Sequence, residues 1–396
     1  MAKLPELEVD RRQGSRTRQS EPFDLVITCD RVFCADTGLD GPGKVAVRGD
    51  RIVASGPEVS GEARETLDYS GALLLPGLVD LHAHPDRDSS RYGVDPDVHF
   101  LTRGVTTVMS QGDAGSRNWS RYRDEVILGS KTRVRLAINL SAPGETNPTR
   151  CYESPEDIDV EACVQAVADG GDLVWGISVN TSEASCGEFD PREVMSHGVE
   201  AAERTGRPLL FGSRLAEDVP LEEQLDTLRP GDVLTYCFNA KPQGLIENGR
   251  VRDCVRGARE RGILFDIGHG MASFSFETAE VAIADGFLPD TISTDQYARH
   301  VGSDPQHDLP RTMSKLMAAG ISETDAFERV TLEPARILGM ADEIGTLAPG
   351  SCADITVLRW NDGATALKDV EGVERASGCW EPVVAVRAGE VVSSSD

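Results

Sequence analysis

The 396-residue chain is 39% hydrophobic and 27% charged, a globular composition in a chain too long for one ordinary core. Its net charge of −26 argues against nucleic acid and anionic membranes as partners. Arginine outnumbers lysine, and a salt-rich cytoplasm would suit such a surface because screening relieves its self-repulsion.

Residues 1–22 are polar and read as a flexible tail with no apolar signal segment. No run of 18 apolar residues predicts a membrane span. Nine cysteines without a CxxC pair fit reduced thiols, so a cytoplasmic location is expected. After the tail, "FDLVITCDRVFCAD", "KVAVRGDRIVASG" and "ETLDYSGALLLPG" alternate β-formers with turn residues and predict hairpins. "GTLAPGSCADITVLRW" and "EPVVAVRAGEVVSS" repeat that texture near the other end. Residues 23–75 and 341–396 are therefore expected to build one small β-sandwich domain together.

Between them, over 76–340, eight short apolar runs alternate with amphipathic helical segments. The runs centre on "GLVDLHAH", "GVTTVMSQGD", "TRVRLAINLS", "LVWGISVN", "PLLFGS", "DVLTYCFN", "ILFDIGHG" and "DTISTDQ". Near-continuous apolar strands, each followed by a helix, predict a parallel sheet buried on both faces. Eight of them fit an α/β fold of the (β/α)8 TIM-barrel type. Two helices have readable ends. One starts at Asp190-Pro191 and stops at Gly206, and the other runs from Pro310 to Gly320.

Chemistry in such a barrel sits where the strands end. The candidates there are His82 and His84, Gln111 and Asp113, Asn139, Ser178 and Asn180, Ser213 and Arg214, Tyr236 and Asn239, His269, and Asp295. Residues two apart on a strand share a side, so His82 and His84 can both face the barrel mouth and one cation. Asp295, closing the eighth run beside the first, can bind that cation or carry a proton for a metal-activated water. Tyr236 offers a hydrogen bond to a carbonyl or oxyanion, or fills the barrel. Arg299 and His300 can bind a substrate carboxylate. His99, His197 and His307 read as surface or structural, Cys237 as a buried thiol, and Asp86 as loop polarity. No GxSxG elbow or phosphate-binding glycine loop stands in the right context.

The order of terminal strands, "PGLVDLHAH", eight strand–helix units, "PDTISTD" and "GTLAPGSCADITVL" resembles the amidohydrolase superfamily. "GVTTVMSQGDAG", "FDIGHGMASFSF" and "DLPRTMSKLMAAG" resemble its dihydroorotase-like and deacetylase-like branches. The resemblance implies a metal-dependent hydrolase of amide or ester bonds, often with a binuclear zinc centre, with substrate contacts near Tyr236, Asn239 and His269. It also shows departures. Ser178 stands where those relatives carry the bridging lysine. Phe211, Gly212 and Ser213 stand where a strand-five histidine is expected, and Tyr236 replaces the strand-six histidine. The expected metal ligands are therefore His82, His84 and Asp295, holding one divalent cation, zinc, rather than two. Asp295 is also the expected catalytic base. An altered or inactive barrel that binds a ligand, or that runs non-hydrolytic acid/base chemistry, remains the competing expectation. A small-molecule substrate and a homo-oligomer complete it.

Overall fold

The two strand-rich ends of the chain meet in a single sheet in the computed structural model, which describes residues 21–376 and 378–393. Most of the expected 1–22 tail lies outside the described residues. The N-terminal strands are β1 (Phe23–Cys34), β2 (Leu39–Arg48), β3 (Arg51–Gly56) and β4 (Ala63–Pro76). They join β14 (Ile355–Asn361), β17 (Cys379–Arg387) and β18 (Glu390–Ser393) in the order β18-β17-β14-β4-β1-β2-β3. Pairing is antiparallel except between β1 and β4. In place of the expected sandwich of two sheets, the chain ends form one continuous hydrogen-bonded sheet. The physical reason is the β4–β14 ladder, Leu74 opposite Val357 and Pro76 opposite Ile355, which sews the two chain ends edge to edge. Alternate residues Leu25, Ile27 and Cys29 point into an aliphatic core with Val45, Val47, Leu74, Ile355 and Val386.

The second sheet is parallel. It contains β5 (Leu78–Ala83), β6 (Val105–Gln111), β7 (Arg133–Asn139), β8 (Val174–Asn180), β9 (Leu209–Gly212), β10 (Val233–Thr235) and β13 (Leu264–Phe265), each beside its predecessor in that order. Every residue of β5 and β6 is buried, as expected for strands covered on both faces. Two-residue ribbons complete the strand count: β11 (Ile246–Glu247) with β12 (Arg250–Val251), and β15 (Leu367–Lys368) with β16 (Glu374–Arg375).

The eighth run differs from its expectation. Residues 291–296 form no ladder strand, yet they bridge Asp266 at Thr291 and Ala83 at Gln296, one contact to each edge of the curled sheet. Asp295 has a φ of 46°, which breaks the extended conformation within the run. Helix ends follow the sequence signals. Asp190 accepts from the Arg192 amide, Pro191 opens the helix Pro191–Thr205, and Gly206 closes it in the left-handed region. The later helix spans Leu309–Ala318, with Asp308 as its cap and Pro310 at its second position. All nine cysteines are free thiols. No helix among the described residues is long and apolar enough to cross a membrane.

Candidate metal centre

His82 lies on β5 and His84 one residue past its end, both buried, and the segment carrying Asp295 is pinned alongside by the Asp295 amide donating to the His82 carbonyl at 2.7 Å. One carboxylate oxygen, Asp295 Oδ1, faces both imidazoles, 3.3 Å from His82 Nε2 and 3.4 Å from His84 Nε2. Asp80, also on β5, accepts from the Thr294 amide and hydroxyl at 3.1 and 2.5 Å, which fixes the approach of the eighth run. Gly270 leaves the space Asp295 occupies, since a Cβ there would lie 2.4 Å from Oδ2.

The far nitrogens of both rings are committed. His84 Nδ1 donates to Asp113 Oδ1 at 2.8 Å, and Asp113 is held in turn by the Ser110 hydroxyl at 2.8 Å. His82 Nδ1 lies 2.8 Å from the Thr235 hydroxyl, which itself donates to Asp266 Oδ2 at 2.8 Å. The Thr235 oxygen therefore accepts the His82 Nδ1 proton. Asp266 is anchored further by the Thr291 and Ser293 hydroxyls at 2.6 and 2.7 Å. With both Nδ1 atoms committed, both Nε2 atoms face one carboxylate oxygen, a cluster that needs either a second proton on each ring or a cation between the three groups. His82 Nε2 is buried with no hydrogen-bond partner. The residues present thus fit a divalent ion. Two imidazoles and a carboxylate with an open position are a catalytic zinc donor set, and carboxylate-oriented histidines are its usual outer support.

Electrostatics agree. Without a cation, burial disfavours protonated imidazole, yet Asp295 and Asp266 outweigh it and push His82 up to about 9. Burial acts the same way on His84, which Asp113 and Asp295 push up to about 10. Burial alone would raise Asp295, but the two imidazoles hold it at about 2. The site is built to neutralise positive charge at one point, where a bound cation would take the place of those protons.

A cavity of about 240 Å³ opens onto His84 and Asp295 and is also lined by Gln111, Glu145, Tyr236 and Arg299. A larger depression of about 590 Å³ lies where the strands begin, against Trp175, Leu264 and Ile337, and contains none of the metal-side groups. Tyr236 follows β10 with a φ of 67°, and its ring centroid is 5.2 Å from that of His82. Burial pushes its phenol well above the ordinary value, so the hydroxyl stays protonated.

Asn180 and Ser213 also line this cavity, whereas Asn239, His269 and Asp86 do not. Asn239 is occupied within its own loop, donating to the Tyr236 carbonyl at 2.7 Å and accepting from the Lys241 amide at 2.8 Å. His269 is likewise spoken for. Its Nδ1 meets the Gly270 carbonyl and its Nε2 the Lys315 amine, both at 2.8 Å. Burial, and then Arg311 nearby, lowers Lys315 to about 7. Asp86 is buried against Arg121.

Sequence reasoning missed Thr235 and Asp266 as the support of His82. The signal was there, since an aspartate inside the apolar run "ILFDIG" must find partners in the interior. It also missed Glu145, a buried carboxylate in the cavity wall paired with Arg91 and accepting from the Cys151 thiol at 3.0 Å. No local pattern marks that loop residue.

A curled parallel sheet, with two imidazoles and a carboxylate converging where its strands end, defines a metal-dependent hydrolase. Comparison with known proteins agrees. The chain is 33% identical over 368 residues to a deacetylase from Agrobacterium fabrum, covering 91% of this chain and 87% of that protein. Among solved structures it superposes on an adenine deaminase with a TM-score of 0.85 and 28% identity, covering 94% of this chain and 100% of the other. It superposes on a dihydroorotase with a TM-score of 0.84 and 29% identity, covering 94% and 98%. The model of the amidohydrolase family matches residues 274–378. The chain belongs to the amidohydrolase family, whose relatives here are enzymes acting on carbon–nitrogen bonds.

Proposed function

We propose that this chain hydrolyses an amide or related acyl bond of a small molecule, using a single zinc ion held by His82, His84 and Asp295. One observation carries the reading: two imidazole Nε2 atoms converge on one oxygen of Asp295, with both Nδ1 atoms already committed. When bound, the cation supplies a water ionised near neutral pH and polarises the carbonyl under attack. The chain's own groups do the rest. Asp113 and the Thr235–Asp266 pair hold the rings in the donating tautomer. Asp295 takes a proton from the attacking water and returns it to the leaving nitrogen. Arg299, exposed at the cavity rim, attracts an anionic group of the substrate, and Tyr236 contacts its acyl end.

Deacetylase relatives support an acyl amide as the substrate class, and the cavity of about 240 Å³ supports a small acyl group. The fold reading that accompanies this is a closed (β/α)8 barrel over 76–340, supported by the bridges of residues 291–296 to both sheet edges. The terminal sheet is read as a separate domain, and the protein as a cytoplasmic homo-oligomer. A ligand-binding barrel without chemistry gives no role to three buried ligand groups gathered at one point.

The test is metal analysis of protein purified without chelator. About one zinc per chain is expected, with loss of metal in His82→Ala. Protein that takes up no divalent ion, even when zinc is supplied, sinks the reading.

A further inference from the structure

The cavity that meets the metal ligands also holds two neutral donors that the fold leaves bare. Gln111 ends β6, is 2% exposed, and its amide nitrogen has no hydrogen-bond partner among the described residues. A buried amide in that state is unfavourable by itself, and it lines the space where substrate must sit. Tyr236 lines the same space, and its hydroxyl bonds to no group among the described residues.

Tyr236 is held in place to an unusual degree. A φ of 67° is strained for a residue with a bulky side chain. Its ring lies in a slot between two glycines. A Cβ on Gly212 would come 3.2 Å from Cε2, and one on Gly268 would come 2.9 Å from Cδ1. The Asn239 amide grips its carbonyl at 2.7 Å. Strain of this kind, enforced from three elements beside a metal triad, marks a side chain whose position matters to the chemistry.

We propose that the Tyr236 hydroxyl and the Gln111 amide are the oxyanion donors of this enzyme. The inference rests on the hydrolase reading above. Water oxygen adds to the substrate carbonyl carbon, and the carbonyl π pair moves onto oxygen as Asp295 takes the water proton. The new negative charge accepts hydrogen bonds from Tyr236 and Gln111. The pair then re-forms the carbonyl, the carbon–nitrogen bond breaks, and the nitrogen takes the proton from Asp295. Donors fixed in advance and shielded from water are worth most where the charge develops.

Zinc-loaded protein tests this with methylphosphonate as a tetrahedral oxyanion and acetate as a planar one. Tyr236→Phe and Gln111→Met each keep the shape and remove the donor. The expected result is methylphosphonate binding weakened about 10- to 100-fold in each variant, with acetate changed less than about threefold. Zinc content should stay at the wild-type level. Unchanged methylphosphonate affinity in both variants, or an equal loss for acetate, overturns the inference while the metal reading stands. Wild-type protein that binds no zinc overturns both.

Discussion

Two sets of side chains meet in one cavity, and they are supported in different ways. His82, His84 and Asp295 are braced by a chain of partners: Asp113 and Ser110 behind one ring, Thr235 and Asp266 behind the other. Gln111, Ser213 and Tyr236 lie in the same cavity without protein partners for their side-chain donors. A group whose task is to hold an ion in every state can be satisfied by the protein permanently. A group whose task is to meet a passing substrate must be left unmet until it arrives. On the proposed function, this difference in support would separate the part of the site that makes the nucleophile from the part that receives the acyl group.

The sharpest way to break this comparison is to remove a ligand from the braced set. His82→Ala deletes one of three donors, and zinc affinity is expected to fall by about 10³-fold or more, read by competition with a chromophoric chelator. A variant that keeps wild-type affinity would place the ion elsewhere. Gly268→Ala comes next, because Gly268 is where the two sets touch. Its φ is 50°, and a Cβ would lie 2.2 Å from Thr235 Oγ1, 2.9 Å from Tyr236 Cδ1 and 3.0 Å from His82 Nδ1. Strain and overpacking together are expected to cost about 2–3 kcal/mol in urea unfolding. The control is Gly206, which is left-handed at φ 66° and ψ 15° but has nothing within 4 Å of its Cβ, so Gly206→Ala should cost about 1 kcal/mol.

How much of this the sequence discloses depends on how local the cause is. The HxH motif and seven of the eight expected strands are readable because strand periodicity is local, and two residues apart always means one side. The N-cap at Asp190 and the stop at Gly206 are readable for the same reason. Asp295 is placed by its position in a chain-long order, and its φ of 46° is invisible until the eighth run is bent between two edges. His269 looked available between two glycines. Lys315, 46 residues away, is what occupies it, and no spacing rule joins them. Thr235 shows the limit best. It is one residue before Tyr236 and reads as an ordinary strand residue, yet it carries the hydrogen bond that sets the His82 tautomer.

Two smaller substitutions sharpen the contrast between braced and unbraced groups. Asp113→Asn keeps the size of the side chain but loses the charge that accepts the His84 Nδ1 proton. The amide can turn its NH₂ toward the ring and favour the wrong tautomer, so zinc affinity should drop about 10- to 100-fold with little change in fold. Ser213→Ala is the opposite case. Its hydroxyl faces the cavity and bonds to no protein group among the described residues. Removing it strands no partner, so stability should stay within about 0.5 kcal/mol of wild type and zinc affinity should not move. If Ser213→Ala lowered zinc affinity as Asp113→Asn does, the hydroxyl would belong to the metal's support. The division between a permanently satisfied half and a substrate-satisfied half would then have to be redrawn with Ser213 on the metal side.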